Sequence, residues 1–167
     1  MSRTVLTNAT FYVGEALTAQ NGSLVVDDGV ITEIGEAVTA RPDDAVVDLQ
    51  GGYVIPGLMD AHCHLIYRDV ADPYDIELRK SIPEATIDAI VNAERLLKAG
   101  FTTVRDVGSR GNIGVEVRNA VSRGDVRGPS IHPAGQILSG PGGLADFHPS
   151  HVFDDRPYRH GLGVQII

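Results

Sequence analysis

The residues after Tyr53 alternate between two periods, and that alternation limits the folds open to this chain more than any other feature. Residues 101–107 and 130–134 are apolar, β-prone runs. Ahead of the first lies Ser81-Ile82-Pro83-Glu84, which has the form of a capping box. Ile87, Ile90, Val91 and Leu97 follow it at helical spacing, with Ala93 and Leu96 widening the stripe. Arg95 and Lys98 suit the negative end of a helix dipole, and Gly100 stops the helix. Residues 115–122 predict a shorter helix ended by Gly124. Strands that alternate with helices pair in parallel through right-handed crossovers. The expected class is α/β, with three β/α steps.

Before Tyr53 the pattern is one of short strands. Residues 4–7, 23–26, 30–34 and 45–49 are β-branched or apolar. Asp28-Gly29 between two such runs predicts a tight hairpin, because glycine tolerates the positive φ of the turn. Arg41-Pro42-Asp43-Asp44 predicts a loop.

Chemistry concentrates at Pro56-Gly57-Leu58-Met59-Asp60-Ala61-His62-Cys63-His64-Leu65. Side chains alternate along a strand, so His62 and His64 share one face and Cys63 takes the other. Two imidazoles side by side at a strand end can grip one divalent ion. Asp60 has the parity of the histidines and could orient one of them. Cys63, out of phase, reads as a small apolar filler.

Three runs together carry a family resemblance. Residues 46–64, then Ala99-Gly100-Phe101-Thr102-Thr103-Val104-Arg105-Asp106-Val107-Gly108, then Gly128-Pro129-Ser130-Ile131 with Gly135, stand in order. They resemble the first three barrel strands of the metal-dependent amidohydrolase superfamily, in its prolidase-like and imidazolonepropionase-like branch. The resemblance spans residues 6–146 and implies the N-terminal part of a (β/α)₈ TIM barrel, whose active site sits at the C-terminal strand ends. It implies three segments. Residues 1–55 would be β-rich and belong to a small composite β-sandwich, residues 56–152 would hold the first three β/α units, and residues 153–167 would form an irregular tail, truncated or frameshifted. A whole barrel needs about 250 residues, so a chain of 167 holds an opening portion.

The resemblance also implies a divalent metal, most simply zinc, held by His62 and His64. A lysine, often carbamylated, two further histidines and an aspartate would come from later strands. Lys80 and Lys98 stand beside or on the first helix instead. The implied activity is hydrolysis of a carbon–nitrogen bond of an amide, in a small molecule or dipeptide-like substrate, by a metal-activated water; deamination of a ring carbon is the alternative chemistry. The chain alone is expected to lack activity. A competing reading makes it a non-catalytic remnant that associates with a partner or with itself, since an open parallel sheet leaves a raw edge.

Asp106 is expected at the end of the second strand, either near substrate or in an ion pair with Arg105 or a neighbouring strand. His132 is expected to be structural. In Ser139-Gly140-Pro141-Gly142-Gly143-Leu144, a leucine stands where relatives often carry histidine. His148 and His151 flank Pro149 in a polar stretch expected to be a solvated loop, and His160 lies in the tail. A net charge of −8 argues against nucleic acid or an anionic membrane as partner. No apolar run approaches the roughly 20 residues of a membrane span. A single cysteine fits a reducing, cytoplasmic compartment.

Overall fold

The structure, a computed structural model, describes residues 3–36, 38–72, 75, 79–140 and 143, with the backbone of 164–166. It forms two compact units, Met1–Pro56 and Gly57–Ile167.

The first unit is a four-stranded sheet in the order β3-β2-β1-β4, built from β1 (Arg3–Val13), β2 (Thr18–Asp27), β3 (Val30–Gly35) and β4 (Ala45–Val54). β1 pairs antiparallel with β2 and parallel with β4, and β2 pairs antiparallel with β3. The second hairpin turns at Asp28-Gly29, whose φ values of 46° and 82° are those of a tight turn with both central residues left-handed. β1 and β2 run beyond the expected 4–7 and 23–26 because of a bulge. Asn8, at φ 56°, is an extra residue between the Leu6–Leu24 and Ala9–Gly22 pairs. It shifts the alternation by one, so Leu6, Ala9, Phe11 and Val13 all serve one apolar cluster with Leu24, Val26, Ile34, Leu49 and Val54. β4 carries its own irregularity at Gln50 and Gly51, both left-handed. Asp48 secures both bulges: its Oδ1 accepts from Asn8 Nδ2 at 3.1 Å and from the Gln50 N–H at 2.8 Å. β4 thereby continues to Val54 rather than ending at residue 49.

The second unit holds a three-stranded parallel sheet, β5-β6-β7, made of β5 (Leu58–Cys63), β6 (Phe101–Asp106) and β7 (Ser130–Pro133). Helix α1 (Ile82–Lys98) connects β5 to β6, and α2 (Ile113–Arg123) connects β6 to β7. Ser81 caps α1, its Oγ accepting the Glu84 N–H at 3.3 Å, and Gly124 ends α2 in the left-handed conformation at φ 77°. The core gathers Leu65, Ile66, Ala85, Ala89, Ala93, Val104, Ile113, Val117 and Ile131.

The stripe of α1 that faces this core differs from the expected one. Ile87 is 60% exposed, whereas Ala85, Ala89 and Ala93 are fully buried. Methyl groups at these positions allow close approach of helix to sheet, and the larger Ile90 and Leu96 fill in from the flanks. Asp88 shares the buried stripe and is bonded by Arg68 Nη1 at 2.9 Å and Lys80 Nζ at 2.5 Å. These cations hold its carboxyl below the usual carboxylate range, although burial works in the opposite direction.

Beyond β7, β8 (Ile137–Ser139) pairs in parallel with β9 (Val164–Ile166). Residues 153–167, expected to be irregular, thus contain a strand; the polar run before it masks a short β-branched segment whose partner lies far back in sequence. Among the described residues no helix is long and apolar enough to cross a membrane.

Candidate metal centre

β5 delivers the two histidines. Its ladder with β6 begins at Leu58–Phe101 and closes where the Val107 N–H donates to Cys63 O at 3.0 Å. Between the Asp60–Val104 and Cys63–Asp106 pairs, β5 has one residue more than β6. This irregularity falls on Ala61 and His62 and breaks the strict alternation expected there. Asp60 stabilises it, its Oδ1 accepting the backbone N–H of His62 at 2.9 Å. The carboxylate thus holds the strand at His62 rather than an imidazole.

His62 is exposed at the strand end, and His64, the next residue but one, is half-buried. Their rings meet edge to face with centroids 5.6 Å apart and planes at 75°. Two imidazoles that share one zinc at about 2.0 Å per nitrogen place their centroids about 5 Å apart, so the observed spacing needs only a small adjustment. His64 Nδ1 lies 2.9 Å from Gly108 O. A carbonyl only accepts, so Nδ1 carries the proton and Nε2 of the neutral ring keeps its lone pair. Tyr67 stacks on the same ring, centroids 4.7 Å apart and planes at 19°. The donor set fits a divalent ion of the zinc type: two imidazoles, one with its tautomer already fixed. Among the described residues no group of three His, Cys, Asp or Glu side chains converges. A usual catalytic zinc site takes three protein ligands.

Cys63 packs against the helix-side core and is half-buried. Burial, reinforced by the charges of Asp106 and Asp60, pushes its thiol up to about 11.

Asp106 is fully buried on the side of the sheet where β6 pairs with Cys63. Its carboxylate takes neither Arg105 nor a neighbouring strand's cation as partner, and instead accepts from backbone. The Leu65 N–H reaches Oδ1 at 3.5 Å, with the Gly108 N–H and the Ser109 hydroxyl nearby, and Oδ2 is buried without a hydrogen-bond partner among the described residues. Burial pushes its carboxyl above the usual range, while these donors and the nearby His64 pull the other way. Gly114, in the first turn of α2, leaves room for the other oxygen: a Cβ there would lie 2.3 Å from Oδ2. Asp106 therefore fixes the backbone just after His64 together with the turn that carries Gly108.

Arg105 and His132 are exposed on β6 and β7 and line a cavity of about 430 Å³ with Arg118 and Ser130 at the free edge of β7. His132 is thus not a core residue. Lys80 is engaged by Asp88, and Lys98 pairs with Glu94 at 3.0 Å. Leu144, His148, His151 and His160 lie outside the described residues. Sequence reasoning passed over Tyr67 and Gly108. The turn that follows His64, closed by Tyr67 N–H to His64 O at 3.3 Å, is what folds the aromatic back. Gly108 acts through its carbonyl, which any residue possesses; glycine is needed there because a Cβ would lie 2.2 Å from Ile137 Cγ1.

No family model matches the chain. Two curated enzymes are similar to parts of it. A dihydroorotase of Acetivibrio thermocellus is 35% identical over 95 residues, which are 56% of this chain and 19% of that protein. A 5-methylthioadenosine/S-adenosylhomocysteine deaminase of Pyrococcus furiosus is 36% identical over 120 residues, 62% of this chain and 28% of that one. Among solved structures, a Xaa-Pro dipeptidase with methionine in its active site superposes with a TM-score of 0.80 at 29% identity, over 99% of this chain and 41% of its own. The chain spans well under half the length of the proteins it matches. Its mixed α/β architecture matches the N-terminal region of such enzymes. Motifs, architecture and relatives agree in supporting the amidohydrolase superfamily, including its prolidase-like and imidazolonepropionase-like branch.

Proposed function

We propose that this chain contributes the opening strands of a metal-dependent hydrolase that cleaves the amide-type carbon–nitrogen bond of a small molecule or dipeptide-like substrate. The observation that carries the reading is the juxtaposition of His62 and His64 at the end of β5, with His64 Nδ1 committed to Gly108 O and Nε2 left to bind. In this reading His62 and His64 hold a divalent ion, zinc by the chemistry of the donors. When bound, such an ion acidifies a water toward neutrality and polarises the scissile carbonyl. The chain's own residues prepare that position. Asp60 holds the strand at His62, Asp106 fixes the backbone beyond His64, and Gly108 sets the tautomer. The remaining ligands and the proton-shuttling carboxylate belong to the later strands of a (β/α)₈ barrel, and turnover requires them.

A dipeptide-like substrate is supported by the Xaa-Pro dipeptidase and by a prolidase solved with N-methylphosphonate-L-proline, both of which align with 99% of this chain. Deamination of a ring carbon is the second reading, supported by the 36% identity to the Pyrococcus furiosus deaminase. The test is zinc uptake by the purified chain, followed by competition with a chromogenic chelator. His62→Ala and His64→Ala should each abolish the competing site, and Cys63→Ser should leave it in place. Equal loss from all three substitutions would refute the assignment.

A further inference from the structure

We infer that Tyr67 is a positioning residue that fixes the His64 ring through its stacked face, so that the Nδ1–H stays on Gly108 O and Nε2 stays aimed as a ligand. The inference rests on the reading of His64 as a metal ligand and extends it to a residue that touches neither metal nor substrate in that reading. Three contacts define the His64 ring. Its edge meets His62 with centroids 5.6 Å apart, its Nδ1 donates to Gly108 O at 2.9 Å, and its face lies on Tyr67 at 4.7 Å with planes 19° apart. A hydrogen bond to a carbonyl leaves the ring free to tilt about the N–O line, because acceptance at an sp² oxygen is broad in angle. A near-parallel aromatic removes that tilt. Tyr67 is itself anchored. It packs against the core beneath α1, its N–H closes the turn onto His64 O, and its carbonyl accepts from Asn92 Nδ2 at 3.1 Å. The same Asn92 amide also donates to Leu65 O at 2.8 Å, so a single side chain on α1 holds two carbonyls of the turn. The stack is therefore built from the helix side and does not depend on later strands.

The consequence is a clean separation between face and hydroxyl. Tyr67→Phe keeps the stacked face and should bind zinc as the parent chain does. Tyr67→Leu keeps much of the volume without the aromatic face, and Tyr67→Ala removes both. Each should lower zinc affinity about tenfold, the lower end of the loss seen when a group that orients a metal ligand is removed. The second readout needs no metal. Nitrogen NMR of the metal-free chain should show His64 as the Nδ1–H tautomer in the parent and in Tyr67→Phe, and as a mixture of tautomers in Tyr67→Leu and Tyr67→Ala. A change that only loosened packing would lower the melting temperature and leave the tautomer alone. Should Tyr67→Ala fail to fold, Tyr67→Leu carries the comparison. The inference is overturned if folded Tyr67→Leu retains both the parental zinc affinity and a pure Nδ1–H tautomer. It is equally overturned if the parent itself shows His64 protonated at Nε2. A parent chain whose zinc uptake ignores His62→Ala and His64→Ala would instead refute the metal reading, and the tautomer comparison would still decide the role of Tyr67.

Discussion

Replacing Gly114 with alanine tests whether the buried carboxylate of Asp106 is as tightly confined as its surroundings indicate. On an isolated helix this substitution is favourable, since alanine exceeds glycine in helix propensity by about 1 kcal/mol. In this chain the new methyl would lie 2.3 Å from Asp106 Oδ2, 3.0 Å from Ser109 Oγ and 3.2 Å from Pro133 Cβ. None of the three has an easy retreat. Asp106 is fully buried and held by backbone N–H groups, Ser109 Oγ accepts the Gly114 N–H at 3.1 Å, and Pro133 is in β7. Overpacking of a dense interior costs about 1–3 kcal/mol, and here the nearest obstacle is a buried carboxylate oxygen with no hydrogen-bond partner among the described residues. The clash outweighs the propensity gain, and Gly114→Ala should destabilise by about 1–2 kcal/mol. Urea unfolding followed by helical circular dichroism reports on this unit, because both described helices lie within it. In an Asp106→Ala background the closest of the three obstacles is gone, so the same substitution should cost clearly less, by about 1 kcal/mol. Equal effects in both backgrounds would refute the confinement of Asp106.

The exposed and buried faces of α1 predict a contrast: Ile87→Ala should cost no more than about 0.5 kcal/mol, whereas Ala89→Leu should cost about 1–3 kcal/mol, and the reverse order in urea unfolding would restore the isoleucine stripe to the core. Ser81→Ala should cost about 1 kcal/mol by removing the cap of α1, and no change in the same assay would count against the bond to Glu84 N–H. Asp88 should stabilise the fold in a pH-dependent way. Its folded carboxyl titrates below the unfolded one, so its contribution is complete above the ordinary carboxylate range and is lost as pH falls toward the folded value. Asp88→Asn should flatten that part of the acid stability profile, and an unchanged profile would remove Asp88 from the account.

What was legible in the sequence, and what was not, divides along the range of the interaction. The Asp28-Gly29 turn, the Ser81 cap and the Gly124 stop each depend on a few adjacent residues, and each is found where local chemistry places it. The alternation of strand and helix after Tyr53 was equally readable, because period is a property of the segment itself. Bulges were not. The extra residues at Asn8 and near Ala61-His62 exist only relative to a partner strand, and nothing within the segment announces them. The inward stripe of α1 was misjudged because periodicity weighs size, while the sheet selects the small residues that fit against it. At the candidate site, the pairing of His62 with His64 was visible as spacing. The clamp of Gly108, Tyr67 and Asp106 around His64 was not, because it joins a backbone carbonyl, a turn and a strand some forty residues away.

The strand order of the first unit also dictates a schedule for folding. β1 lies inside its sheet with β2 on one side and β4 on the other. The β2 side is a hairpin whose partners are near in sequence, from Val13 opposite Thr18 outward. The β4 side joins Thr4 to Ala45, and Arg3 to Asp44 by an ion pair that spans 41 positions. Hairpins close within microseconds, while each longer loop must first surrender more chain entropy. As the polypeptide leaves the ribosome, β1, β2 and β3 can therefore zip together while one flank of β1 stays open. That flank is an adhesive edge in the nascent chain until residues 45–54 emerge to occupy it.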